Sequence, residues 1–137
     1  MTSIGIDFGT TNSVAAVHSS SGTEVVDIDS APVEWAPYGF DRVFPSVMAR
    51  SSNGDLEFGW AAKGLSDGRF DAVKRMFATQ ADLAVTDSGD ALAVEEVATM
   101  LFSELKRRVT ERGGFSNVDS AVVTVPANSK GRARHRT

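Results

Sequence analysis

Cysteine is absent from the 137 residues, and that absence removes disulfides, thiolate metal sites and cysteine nucleophiles together. A chain without thiols fits a reducing compartment most simply, so a cytoplasmic location is expected. Histidine is scarce: His18 and His135 have no partner at ligand spacing, which leaves neither an imidazole metal site nor a histidine general base. No apolar run approaches membrane-spanning length, and Met1-Thr2-Ser3 leads into Ile4-Gly5-Ile6 with neither the basic stretch nor the apolar block of a signal peptide. A soluble protein with no membrane partner is expected. There is no internal repeat, no low-complexity tract and no Walker A pattern.

What is present belongs to the globular class, with 42% hydrophobic and 23% charged residues. One compact domain is the default, and a chain of this length buries roughly two thirds of the surface its unfolded form exposes. Net charge is -4, yet Lys130, Arg132, Arg134 and Arg136 crowd the last residues without an acid among them, which leaves 10 basic against 18 acidic groups elsewhere. A basic end can grip nucleic acid. A short run of this kind is more often a solvated helix face or a cut end, so nucleic acid is not the expected partner.

Alternation of Ile4, Ile6 and Phe8, an interruption at Gly9-Thr10-Thr11-Asn12, and renewed alternation from Ser13 to His18 predict a hairpin. A turn at Ser19 to Gly22 leads to a third antiparallel strand, Thr23 to Ile28. From Asp29 to Arg42 the prolines, Gly39 and the aromatics Trp35, Tyr38 and Phe40 predict an irregular loop pinned by ring contacts. Val43 to Arg50 and Leu56 to Phe58 read as short strands, Trp60 to Leu65 and Phe70 to Phe77 as short helices. A long helix is predicted from about Val94 to Arg112, where Val94, Val97, Ala98, Leu101, Phe102, Leu105 and Val109 share one face and Gly113-Gly114 ends it. Ala121 to Val125 reads as a strand buried on both faces and closed by Pro126. Strand, long helix and buried strand make a crossover unit. Ser129 to Thr137 looks like the opening of another helix and stops without a cap, so the chain is expected to be a piece of something longer.

The segment Ile4 to Ser13, IGIDFGTTNS, is the first candidate site. A strand delivers Asp7 to its end, Gly9 supplies the φ freedom of a tight turn, and the amides of Thr10, Thr11 and Asn12 can point at one anion. Two threonine hydroxyls add donors, and Asp7 offers hard oxygen for Mg²⁺, directly or through water. An ordinary hairpin with a solvated aspartate remains the alternative from these residues alone. Asp7-Phe8-Gly9 also spells the magnesium motif of protein kinases, but no glycine-rich loop, strand lysine or catalytic loop precedes it.

The hairpin resembles that of the actin-like ATPase superfamily, and further segments narrow the resemblance to the DnaK-type heat-shock chaperones. Phe44-Pro45-Ser46-Val47 is similar to that family's threonine-proline-serine segment, and Gly59-Trp60-Ala61-Ala62-Lys63 to its glycine-x-alanine-alanine-lysine. Phe70-Asp71-Ala72-Val73-Lys74-Arg75-Met76 and Ala121-Val122-Val123-Thr124-Val125-Pro126-Ala127 resemble two more of its stretches, in the same order and with broadly the same spacing. The resemblance implies the N-terminal part of the ATPase domain. The fold is then α/β of the ribonuclease H-like, actin-like kind: a partial first lobe whose mixed sheet joins antiparallel hairpins to a crossover helix and buried strand, plus an appended small subdomain. Residues 1–28 and 115–137 would form the core sheet and about 29–114 the subdomain and helix.

By the same resemblance Asp7 is the magnesium-site aspartate, with Mg²⁺ held through water, and Gly9, Thr10, Thr11 and Asn12 form the loop on the ATP or ADP phosphates. Lys63 is the catalytic lysine, whose compact ammonium can stabilise charge on a transferring phosphoryl group and orient water. Pro126 and Arg134 match the proline and arginine of the family's switch. Implied partners are unfolded peptide, a J-domain co-chaperone and a nucleotide exchange factor. Departures accompany the matches: Asn128, Ser129, Lys130 and Gly131 replace the usual aromatic pair, asparagine and aspartate, the stretch between Lys63 and Phe70 is short, and Ala93 lacks a capping hydroxyl. A divergent relative is expected, with ATP hydrolysis only in the complete protein. The other readings are a bacterial actin-like filament protein, a sugar or acetate kinase of the same superfamily, and a non-enzymatic interaction module. Because a partial lobe leaves apolar faces uncovered, a homodimer formed by edge pairing or element exchange is expected.

Overall fold

The computed structural model describes residues 1–71, 73–78, 83–86, 89–115 and 117–124. The expectations placed on Val125, Pro126, Arg134, His135 and the basic end lie outside the described residues.

Alternation in the first twenty residues produces β1 (Ser3–Phe8) and β2 (Asn12–Ser19), antiparallel with Ile6 opposite Ala15 and Phe8 opposite Ser13. β3 (Gly22–Val25) follows on the far side of β2 and is shorter than predicted: the Val26 amide still donates to the Ala15 carbonyl at 3.0 Å, but the Ile28 amide turns to the Asp41 carbonyl instead, and Val26 and Ile28 stay buried. β4 (Phe44–Pro45) pairs with the start of β2, so the expected strand from Val43 to Arg50 is two pieces, the second being β5 (Met48–Arg50). β5 stands between β6 (Leu56–Phe58) and β7 (Arg69–Phe70) in a second, three-stranded sheet. Helix α1 (Trp60–Lys63) links β6 to β7. The helix expected from Phe70 begins later, as α2 (Val73–Ala78), since Phe70 and Arg69 are used as ladder partners of Met48 and Ala49.

A hairpin of β8 (Leu83–Val85) and β9 (Ala91–Ala93), unforeseen in the sequence, precedes α3 (Val94–Gly113). α3 matches its predicted face: Val94, Val97, Ala98, Leu101, Leu105 and Val109 are buried against Ile4, Ile6, Phe8 and Ala15 of the main sheet. The Phe8 and Phe102 ring centroids lie 4.8 Å apart. Gly114, with φ of 71°, ends the helix in the left-handed region. β10 (Ser120–Val123) then returns beside β1 in parallel, completing the order β10-β1-β2-β3. Its expected burial on both faces is corrected: Val122 is 71% exposed. Among the described residues α3 covers one face of the sheet only, and β10 is an edge strand with Val122 exposed on the other face. Among the described residues no helix is long and apolar enough to cross a membrane.

One flank of α3 carries an ion-pair cluster in which Arg107 and Glu111 are exposed and Glu104 and Arg108 are largely buried. Glu104 Oε1 accepts hydrogen bonds from Arg107 Nη2 at 2.5 Å and Arg108 Nε at 2.8 Å. The Arg107 bond foremost, against the opposing effect of burial, holds the Glu104 carboxyl below its ordinary 4.5. A carboxylate with a depressed folded pKa stabilises fully above its unfolded value and loses that contribution as pH falls through the folded one. Glu104→Gln is therefore expected to flatten the acid limb of stability below about pH 4.5. Urea melts between pH 3 and pH 6 check this; an unchanged pH slope would contradict it.

Candidate functional site

The bend between β1 and β2 is built by close approach. Gly9 does not lie in the left-handed region; a Cβ there would sit 2.0 Å from the Asn12 carbonyl oxygen. The sequence pattern rightly calls for a glycine, but the reason is steric clearance and not the φ freedom expected of it. Among the described residues no protein hydrogen bond engages the amides of Gly9, Thr10 or Thr11. Thr10 and Thr11 precede a ladder position, Asn12 opposite Pro45, that anchors the bend to β4. The Ser46 amide donates to the Thr11 carbonyl at 2.9 Å, and the Ser46 and Ser13 hydroxyls, both buried, lie 2.8 Å apart. The Phe44-Pro45-Ser46 segment thus braces the bend from below, a role that its sequence alone does not disclose.

Thr10, Thr11 and Lys63 line one cavity of about 260 Å³, together with Val47. Three more charged groups, Arg69, Asp71 and Arg75, complete the wall. The side chains facing the cavity therefore comprise three cations and one carboxylate, a local positive excess in a chain whose net charge is -4. A larger cavity of about 470 Å³ lies at the other end of the β2–β3 hairpin, among Thr2, Ser19, Ser21 and Glu24, and no lysine or arginine lines it. Volume alone would favour the larger one, but only the smaller has the charge to hold an anion.

Lys63 reaches this wall because α1 begins at Gly59. Gly59 has φ of 65°, and the Trp60 amide donates to Asp29 Oδ2 at 2.8 Å, so a buried carboxylate takes the place of a capping side chain. The Lys63 ammonium stands 5.3 Å from the centroid of the Trp60 ring, while the Trp60 indole donates to the Val43 carbonyl at 3.1 Å. Trp60 belongs in turn to an aromatic group with Trp35 and Phe40, centroids 6.3 and 6.2 Å away. That grouping pins the segment from Asp29 to Arg42 at Trp35 and Phe40 only: Tyr38, also expected to take part, is 80% exposed, and the segment expected to be irregular holds two short 3-10 turns, Ala36–Tyr38 and Phe40–Arg42.

Asp7 is not part of the cavity of Lys63. Residues alternate across β1, so Asp7 faces the open side of the sheet, where it lines a separate cavity with Val14, Ala16, Val122 and Thr124. Thr124 Oγ1 donates to Asp7 Oδ1 at 2.9 Å and accepts the Phe8 amide at 3.1 Å, which ties the end of β10 to the bend. Nothing in the apolar run around Thr124 signals that tie. Asp7 is exposed and has no ion-pair partner among the described residues, and no cluster of three metal-ligating side chains occurs among them. One exposed hard carboxylate beside a bend, with a single hydroxyl donor and no ion-pair partner among the described residues, suits Mg²⁺, which keeps most of its waters and takes one or two carboxylates alongside phosphate oxygens. It does not suit a metal held by protein alone. His18 is exposed and its Nδ1 is 2.7 Å from the hydroxyl of Thr23, which lines the larger cavity; neither residue lines the cavity of Lys63 or that of Asp7.

The sequence is 31% identical over 138 residues to "Chaperone protein DnaK" of Halobacterium salinarum, covering 98% of this chain and 20% of that relative. It is 33% identical over 139 residues to the protein of the same name from Mycoplasmoides gallisepticum, covering 98% of this chain and 22% of the relative. The DnaK of Mycoplasmopsis pulmonis is 31% identical over 137 residues, with 98% and 21% covered. No family model matches the chain. The chain spans about a fifth of the length of the relatives it matches. The similarity runs almost end to end along this chain and is to a fifth of each relative, so the chain is similar to an N-terminal fragment of the DnaK-type heat-shock chaperones.

Proposed function

We propose that this chain is the N-terminal part of the actin-like ATPase domain of a DnaK-like chaperone, and that its β1–β2 bend holds the phosphates of ATP or ADP. The observation that carries the reading is the shared cavity of Thr10, Thr11 and Lys63. Amides of the bend without internal partners and two hydroxyls supply donors, and the ammonium supplies charge, which is what phosphate binding asks of a protein. In this reading Gly9, Thr10, Thr11 and Asn12 form the phosphate-binding loop, Lys63 would stabilise the transferring phosphoryl group and orient water, and Asp7, which lines a separate cavity on the open side of the sheet, would hold Mg²⁺ through its water shell and not by direct contact within the cavity of Lys63. The metal, when bound, neutralises charge on the phosphate oxygens. The order β10-β1-β2-β3 with α3 across it then serves as the core sheet of a first lobe, and the segment of about 29–114 as its subdomain and crossover helix. Pro126 and Arg134 are assigned to the switch.

The complete protein hydrolyses ATP in the cytoplasm during stress to drive binding and release of unfolded peptide, with a J-domain co-chaperone and a nucleotide exchange factor as partners. The 137 residues alone turn over ATP negligibly, because one cavity wall does not enclose a nucleotide. Their phosphate affinity is weak but saturable.

The test is a titration of the protein with inorganic triphosphate and equimolar Mg²⁺, followed by isothermal calorimetry. Saturable binding is expected, weakened at least about tenfold in Lys63→Ala, since a hydrogen bond to a charged group contributes about 1.5–3 kcal/mol. Absence of saturable binding, or equal binding by the variant, overturns the reading.

A further inference from the structure

We infer that Arg69 is a second cationic ligand of the phosphate cavity, binding the terminal phosphoryl group of a polyphosphate from the side opposite the bend. The inference rests on the phosphate-binding reading given above and adds a residue to it.

Arg69 stands in β7, opposite Ala49 of β5, and lines the same cavity as Thr10, Thr11 and Lys63. Its Nε is buried and has no hydrogen-bond partner, the only such side-chain nitrogen or oxygen among the described residues. Its Nη1 makes one long contact, 3.3 Å to the Lys63 carbonyl. A charged donor left unpaired away from solvent costs more than most single interactions return, so folded proteins rarely retain one without an acceptor. No carboxylate pairs with this guanidinium among the described residues, although Asp71 lies on the same wall.

The approach of β7 is fixed. Gly68 has φ of 69°, a Cβ there would meet the Arg50 carbonyl oxygen at 2.4 Å, and the Arg50 amide donates to the Gly68 carbonyl at 3.0 Å. That tight crossing holds the backbone of Arg69 against the second sheet. The contact to the Lys63 carbonyl then joins the two cationic residues through the end of α1.

A planar guanidinium matches two oxygens of one phosphate, whereas the ammonium of Lys63 is a point charge. The two differ in what they recognise. Lys63 attracts any anion, and Arg69 adds a preference for a phosphoryl end that can accept from Nε and an Nη together. Asp71 on the same wall repels any anion, but the cations lining the cavity outnumber it, and their attraction grows with the charge of the ligand, which favours a polyphosphate end over a singly charged carboxylate.

The experiment is nitrogen-15 NMR of the Arg69 Nε–H, recorded as inorganic triphosphate with equimolar Mg²⁺ is added, together with affinities of variants. The Nε–H signal is expected to shift and saturate at the same ligand concentration as the Thr10 and Thr11 amides. Arg69→Leu is expected to weaken triphosphate binding at least about tenfold, and Arg69→Lys, which keeps the charge and loses the fork, to recover only part of it. Unchanged affinity in Arg69→Leu, or a silent Nε–H while the Thr10 and Thr11 amides shift, overturns the role of Arg69 and leaves the phosphate site standing. Signals that are silent at all three residues overturn both. If Arg69→Leu does not fold, the Nε–H titration of the unsubstituted protein decides between these outcomes by itself.

Discussion

Asp29→Ala is expected to destabilise the protein by about 3–5 kcal/mol, the usual loss when one member of a buried ion pair is removed and its partner stays behind. Asp29 is only 6% exposed and gathers three elements on one carboxylate. Oδ1 accepts Arg108 Nη1 from α3 at 2.6 Å and the Ser30 amide at 2.8 Å, while Oδ2 accepts the Trp60 amide at the start of α1. Removing it leaves Arg108 with Glu104 as its remaining carboxylate and the ring of Phe44 at 5.2 Å. It also leaves the first turn of α1 without its acceptor. Denaturant melts of the variant check the size of the loss. Asp29→Asn, which keeps an oxygen but not the charge, should fall between the variant and the parent protein. In the double variant Asp29→Ala, Arg108→Met the losses should not add, because the second change removes the largely buried cation that has lost one of its two carboxylates. A loss under about 1 kcal/mol in Asp29→Ala would show that solvent satisfies the three donors and that the hub carries no weight.

Local pattern makes part of this structure readable. β1 and α3 follow from residues two, three and four positions apart, and the predicted ranges differ from the observed ones by a residue or less. The bend is legible for the same reason, since a glycine followed by two threonines between alternating runs has few other uses. Asp29 is not, because its partners lie 31 and 79 residues away and nothing near it in sequence signals a hub. Arg69 stands one position before the motif that begins at Phe70, and its significance depends on an unpaired Nε that only packing creates. The β8–β9 hairpin lies in short segments where a period of two cannot be told from chance. The exposure of Val122 has a different origin. An apolar run states that a strand wants cover on both faces and is silent on whether the same stretch of chain provides it.

Gly59→Ala tests whether the hub and the cavity are mechanically one unit. At φ of 65° an alanine is strained by about 1–3 kcal/mol before any contact is counted. Its Cβ would also stand 2.2 Å from Asp29 Oδ2 and 3.0 Å from the Phe44 ring. The carboxylate cannot retreat without releasing Arg108 or the Trp60 amide, and Phe44 is fully buried. The expected loss is therefore at least about 2 kcal/mol, measured by denaturant melts. A second consequence follows from the short length of α1: Lys63 donates its amide to the Gly59 carbonyl at 2.9 Å, so a shift at Gly59 passes directly to the lysine. Triphosphate affinity should fall with stability, although the substitution lies outside the cavity lining. A variant that loses stability yet binds triphosphate as well as the parent would show that Lys63 finds its position through the Trp60 ring and the cavity wall, independently of Gly59.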